Sequence, residues 1–122
     1  IDAPCSGLGA LRRNPDARWR LDLAEVETFP PRQREILERY LRLLKPGGRL
    51  IYATCSINRL ENENVRGAFA LAHPELEPVP PAELLGAPLA AAVGATGTDV
   101  QLLPHRDSTD GFYIAGLRRR AG

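Results

Sequence analysis

The chain has 122 residues, 43% hydrophobic and 25% charged, which suits one soluble globular domain around one core. A formal net charge of +1 demands neither a nucleic acid nor a membrane surface as partner. No apolar run reaches bilayer length and no basic-then-apolar leader stands at the start, so cytoplasm is the expected location. The two cysteines are too few for a disulfide framework and are expected as free thiols. The positive charge is almost all arginine, with Lys45 the sole lysine. Arginine forks suit phosphate and stack on bases, although an arginine-rich proteome leaves the same bias.

In chain order, Ile1 to Ala3 reads as the end of a strand, and Pro4 stops its pairing because it cannot donate to a ladder. A chain without methionine that opens in mid-strand reads as the C-terminal piece of a longer protein. Pro4-Cys5-Ser6-Gly7-Leu8-Gly9 is a glycine-bearing turn. Arg12 to Arg20 is a polar loop with Arg12, Arg13, Arg18 and Arg20 around Trp19. It serves either as an RNA contact or as a solvated loop anchored to the core by Trp19.

A short helix or turn follows at Asp22 to Thr28, and Pro30-Pro31 opens a longer helix. Ile36, Leu37, Tyr40, Leu41, Leu43 and Leu44 form its apolar stripe. Glu35 with Arg39 and Glu38 with Arg42 are spaced for ion pairs on the other face. Gly47 or Gly48 supplies a left-handed stop.

Leu50 to Thr54 is apolar on both faces, as a central parallel strand should be, and Cys55 to Leu60 is loop. Glu61 to Ala72 is helix with Val65, Ala68, Phe69 and Ala72 inward, its start complemented by Glu61 and Glu63 and its end set by His73-Pro74. Leu76 to Val79 is a short strand. Pro80 to Thr98 holds a short helix near Glu83 to Leu85 and then a mobile loop. Gly94 to Gly97 completes no phosphate-binding fingerprint and is read as loop. Val100 to Leu103 and Phe112 to Leu117 form a hairpin with a long tip, and Arg118 to Arg120 a frayed basic tail.

The alternation of strand and helix predicts an open α/β sheet. A crossover through the Pro31–Leu44 helix makes the first strand and the Leu50 strand parallel, so their C-terminal ends share the edge where such sheets bind ligands. Cys5 and Cys55 each follow one of these strand ends. Adjacent strands lie about 4.8 Å apart, which puts the two thiols within several Å of each other if the strands are neighbours. Zinc would need further ligands, and neither His73 nor His105 has short ligand spacing to a cysteine. A buried structural cysteine is the ordinary reading of a single thiol. Two at matched strand ends, one beside Asp2, point to catalysis instead.

Asp2-Ala3-Pro4-Cys5-Ser6-Gly7-Leu8-Gly9, Arg13-Asn14-Pro15-Asp16 with Trp19, Gln33, Lys45-Pro46-Gly47-Gly48, Tyr52-Ala53-Thr54-Cys55-Ser56, Glu61-Asn62-Glu63 and Asp110-Gly111-Phe112 stand in the order and spacing of a known family. In these motifs the chain resembles the Sun/Nop family of RNA cytosine-5 methyltransferases, most of all the bacterial branch that modifies small-subunit ribosomal RNA. The likeness is weakest over Pro80 to Thr98.

The resemblance implies a Rossmann-like class I methyltransferase fold using S-adenosylmethionine. It implies that residues 1–122 are the C-terminal part of one catalytic domain, without the glycine-rich cofactor loop, so this piece alone is expected to be inactive. It assigns Cys55 as the nucleophile that adds to carbon 6 of cytosine, Cys5 to product release, and Asp2 to the target base. Asp2 and Pro4 are assigned to the cofactor pocket; Arg12, Arg13, Arg18 and Trp19 are the expected RNA contacts on the composition of their loop. DNA cytosine-5 methyltransferases attack from a Pro-Cys motif, so chemistry alone allows Cys5 as nucleophile; the Thr54-Cys55-Ser56 match selects Cys55. A non-catalytic RNA-binding module is the alternative function. Self-association through an open sheet edge is also expected.

Overall fold

The computed structural model describes residues 1–95 and 97–122. Thr96, inside the stretch 94–97 read as loop, lies outside the described residues. Among the described residues the strands are β1 (Arg49–Thr54), β2 (Leu76–Val79), β3 (Asp99–Leu102) and β4 (Phe112–Arg119). The helices are α1 (Ala17–Arg20), α2 (Leu23–Val26), α3 (Phe29–Leu41), α4 (Glu63–Ala72), α5 (Pro81–Leu85), α6 (Ala87–Ala92) and α7 (Pro104–Asp107).

The sheet is built on β4. One edge of β4 pairs antiparallel with β1, from Arg49↔Arg118 to Thr54↔Tyr113. Its other edge is shared: β2 takes residues 116–119 and β3 takes 112–115, both antiparallel. Residues 1–3 run parallel to the far side of β1, with a bridge from Asp2 to Ala53. The Ala3 amide donates to the Ala53 carbonyl and the Ala53 amide to the Ile1 carbonyl, each at 2.9 Å. The crossover through α3 therefore does make its two strands parallel neighbours, and the β3–β4 hairpin forms with α7 in its tip.

The expectation that β1 is central among parallel strands and buried on both faces needs correction. The returning β4 takes its second edge, and burial alternates: Leu50, Tyr52 and Thr54 face the core while Ile51 is 43% exposed. The tail is corrected as well, since Arg118 and Arg119 belong to β4. The Gly47 amide donates to the Arg119 carbonyl at 2.7 Å, and the Arg119 guanidinium donates to the Leu44 carbonyl at 2.7 Å.

Leu37 and Leu41 of α3, Val65 and Phe69 of α4, Leu50 and Tyr52 of β1, and Tyr113, Ala115 and Leu117 of β4 form the core on one face of the sheet. Burying each large apolar side chain contributes about 1.5–3 kcal/mol. On the opposite face, Leu84 of α5 packs where a Cβ on Gly116 would stand, 2.8 Å away, so β4 carries a glycine there. Pro30 and Pro31 sit in the first turn of α3, where a missing amide hydrogen costs nothing.

The apolar stripe of α3 is wider than the face the core covers. Gln33, Leu37 and Leu41 are buried, whereas Tyr40 and Leu43 are exposed and Ile36 is half-buried. Glu35 and Arg39 pair at 2.6 Å as spaced, but Glu38 turns to His73 Nε2 at 2.8 Å rather than to Arg42. Gly47, with φ 77°, supplies the left-handed turn. Val65 and Phe69 point inward as expected, while Ala72 is exposed. The mobile loop expected after Leu85 contains a helix, because Gly86 at φ 83° ends α5 and the alanine-rich stretch after it forms α6.

Candidate active site

The sulfurs of Cys5 and Cys55 lie 3.0 Å apart, within reach of an S–H···S hydrogen bond. The parallel bridge between Asp2 and Ala53 puts both chain segments at one level. Each then leaves the sheet on the same edge and turns its cysteine toward the other. Both thiols are free and half-buried.

A buried carboxylate holds the two loops together. Glu61 has no exposed surface. Its Oε1 accepts from the Ser6 amide at 2.7 Å and from Gln33 Nε2 at 3.3 Å. Its Oε2 accepts from the Ser6 hydroxyl at 2.7 Å and the Ser56 hydroxyl at 2.8 Å. Each cysteine is followed by a serine, and both serines end on this one side chain. Gln33 Nε2 also donates to the Pro4 carbonyl at 2.9 Å, which ties α3 to the Cys5 loop.

Asn62 pins the Cys55 loop from its other side. It accepts from the Thr54 hydroxyl at 2.5 Å and donates to the Ser56 carbonyl at 2.8 Å. Cys55 is thus displayed between two neighbours whose polar groups are occupied. Because Glu61 and Asn62 serve these loops, α4 begins at Glu63, and Glu61 is not the helix-start acid the sequence suggested. The main-chain carbonyl of Glu61 accepts from the Tyr52 hydroxyl at 2.6 Å. Glu61 is the site residue that sequence reasoning missed. Its signal was the pair of serines at buried strand ends, whose hydroxyls must find partners.

The glycines read as a simple turn have separate tasks. Gly7 stands at φ 73°. At Gly9 a Cβ would meet the Gly111 carbonyl oxygen at 2.1 Å and the Cys55 carbonyl oxygen at 2.8 Å. The Gly9 amide donates to that Cys55 carbonyl at 2.9 Å, and the Gly111 amide donates to the Gly9 carbonyl at 2.7 Å. The Cys5 loop, the Cys55 loop and the segment before β4 are therefore laced backbone to backbone.

Burial pushes the Cys5 thiol up from its ordinary 9.0 to about 12, with the hydrogen bond to Cys55 adding to the effect. Asp2 and Pro4 are exposed and border an open cleft of about 510 Å³ whose other wall is Ile36, Arg39, Tyr40 and Leu43; neither cysteine lines it. The arginine cluster is divided. Arg12 Nε and Arg13 Nε both bond the buried Asp110 carboxylate, at 2.9 and 2.8 Å. Arg18 instead stacks over Trp19, 4.6 Å from the ring centroid. Trp19 is 77% exposed, so it does not anchor its loop to the core.

Residues 1–118 match the family described as 16S rRNA methyltransferase RsmB/F. Ribosomal RNA small subunit methyltransferase B of Vibrio cholerae is 40% identical over 120 residues, covering 98% of this chain and 25% of that protein. A protein of Mycobacterium tuberculosis named as a methyltransferase is 44% identical over 121 residues, again 98% of this chain and 25% of its own length. Among solved structures, PH0851 superposes with a TM-score of 0.84 at 42% identity, covering 97% of this chain and 25% of that one. NSun6 from Pyrococcus horikoshii, solved with SFG, shares the fold at TM-score 0.70 and 24% identity, covering 98% of this chain and 29% of its own. The chain spans about a quarter of the length of the curated relatives it matches. With a Rossmann-like methyltransferase fold and a family match from Ile1 to Arg118, this chain belongs to the RsmB/F family of 16S rRNA methyltransferases.

Proposed function

We propose that this chain is the C-terminal part of a catalytic domain that methylates carbon 5 of cytosine in RNA, small-subunit ribosomal RNA being the substrate class, with S-adenosylmethionine as donor and Cys55 as covalent nucleophile. The names of the curated relatives support the RNA substrate, and SFG, an analogue of S-adenosylmethionine held by NSun6, supports the donor. The observation that carries the reading is the Cys5–Cys55 sulfur pair, 3.0 Å apart where two parallel strands end.

Carbon 5 of cytosine is a poor nucleophile within its ring. Addition of the Cys55 sulfur to carbon 6 makes it enamine-like, and covalent catalysis of this kind splits one difficult step into easier ones. S-adenosylmethionine supplies an electrophilic methyl group when bound. Of this chain's residues, Asp2 and Pro4 would border it; the Asp2 carboxylate is exposed and has no hydrogen-bond or ion-pair partner among the described residues. The same carboxyl group, if it lies near ring nitrogen 3 and holds a proton, would offset the negative charge that develops there.

Release requires a proton acceptor, water or hydroxide at its simplest, to take the carbon 5 proton; that C–H pair restores the ring double bond and the Cys55 sulfur leaves as thiolate. Its raised pKa makes Cys5 a poor rival for the attack, and its sulfur, 3.0 Å from that of Cys55, stands where product release takes place. The base must first leave its stack, at a cost of a few kcal/mol. Trp19, with Arg18 against its ring, offers an exposed stacking surface to RNA, and Arg12 and Arg13 keep their outer guanidinium groups toward solvent.

In the complete polypeptide that carries this chain, Cys55→Ser is expected to abolish methyl transfer to ribosomal RNA. Cys5→Ser is expected to accumulate a protein–RNA adduct that survives denaturation. Both variants methylating at the parent rate would sink the reading. The exposed Trp19–Arg18 stack favours one second reading, an RNA-binding module without chemistry. In that case Trp19→Ala weakens RNA binding and neither cysteine matters.

A further inference from the structure

We infer that Cys5 and Cys55 are also a modification site, a dithiol that low-molecular-weight disulfides such as oxidised glutathione convert to an intramolecular disulfide. A protein disulfide needs Cα atoms roughly 4.4–6.8 Å apart and sulfurs that close to about 2.05 Å. Neighbouring strands lie about 4.8 Å apart, and these two cysteines follow neighbouring parallel strands bridged at Asp2 and Ala53. The sulfurs already face each other at 3.0 Å, so side-chain rotation of about 1 Å closes the bond. Both residues are half-buried, which leaves a path for a small reagent. The Glu61 contacts to Ser6 and Ser56 hold the loops in register, so the pairing entropy has been met by folding.

The chemistry proceeds by two exchanges. Cys55 attacks the reagent disulfide, forms a mixed disulfide and releases one glutathione thiol. Cys5 then attacks the Cys55 sulfur, forms the protein disulfide and releases the second. The two electrons and two protons of the protein thiols end on the two glutathione molecules. Burial keeps Cys5 protonated, which leaves the entry step to Cys55; the resolving attack by Cys5 is intramolecular, from 3.0 Å, and its proton passes to the departing glutathione sulfur. Once bonded, neither sulfur can add to a pyrimidine. That consequence rests on the proposed function, whereas formation of the disulfide does not.

The test treats the complete polypeptide with oxidised glutathione, quenches with acid, alkylates and maps peptides by mass. The expected result is a single linked species joining the Cys5 and Cys55 peptides, with both thiols lost together and both regained with dithiothreitol. The Cys5→Ser variant should stop at a glutathione adduct on Cys55. Stable glutathione adducts on both cysteines, or thiols left untouched under conditions that oxidise a control dithiol, would overturn the inference. Methyl transfer measured on the same samples should fall and return with the thiols. Formation of the disulfide with methylation unchanged would leave this inference standing and refute the catalytic role of the pair.

Discussion

Cys5 and Cys55 are the same side chain at matched strand ends, and burial acts on the thiol of Cys5. Its thiol is held up near 12 because the thiolate would lose water on entering the site. Alkylation of the Cys5 peptide by iodoacetamide should therefore stay slow through pH 9.0 and accelerate only as the pH approaches about 12; a midpoint at the ordinary thiol value would contradict this. The sign for stability follows. The folded state keeps a proton that the unfolded chain releases near 9.0, so this contribution is complete below that pH and is lost as the pH rises toward about 12. Burial raises the Tyr52 and Tyr113 phenols too, and both add to the same alkaline loss. Urea denaturation followed by circular dichroism should show stability falling above pH 9.0, and a flat profile across that window would be inconsistent with these three buried groups.

Among elements, what matters is how separate loops are made into one site. Glu61→Ala strips the acceptor from the Ser6 amide and from two serine hydroxyls in a space closed to water. A loss of about 3 kcal/mol is expected in urea denaturation, from hydrogen bonds to a charged acceptor. Glu61→Gln keeps the volume and one acceptor oxygen, and should recover much of that loss. Equal losses in the two variants would mean that packing, not hydrogen bonding, is the contribution of Glu61. Gly9→Ala acts differently. Its new methyl meets backbone oxygens of Gly111 and Cys55, which cannot rotate away as a side-chain tip can. The expected cost is about 2 kcal/mol or more from overpacking, with slower disulfide closure as the loops part.

At the scale of the whole molecule, the outer half of the α3 stripe and one face of β1 remain open. Tyr40 is 52% exposed, Leu43 75% and Ile51 43%, and Ile1, in the segment that pairs with β1, lies beside them. An apolar strip beside the outer edge of residues 1–3, which pairs with no strand among the described residues, favours contact with a second copy. The isolated chain should show concentration-dependent association in sedimentation velocity, reversed by Leu43→Glu. A monomer at the highest accessible concentration would refute it.

The sequence by itself determined the local pieces and the pairing of the thiols. Pro30-Pro31 started α3, Gly47 turned the chain into β1, and the crossover between two short apolar strands brought Cys5 beside Cys55. These features depend on neighbours in the chain and on sheet geometry, which residue type and spacing encode. Only the tertiary structure decided that β4 would run antiparallel beside β1, that Arg119 would end in a strand, and that Tyr40 and Leu43 would lie outside the core. The same holds for Glu61, a surface acid by every local rule, which folding moved to the one place where the hydroxyls and amide of two distant loops converge. Burial and long-range partnership are properties of the assembled chain, and no window of neighbouring residues contains them.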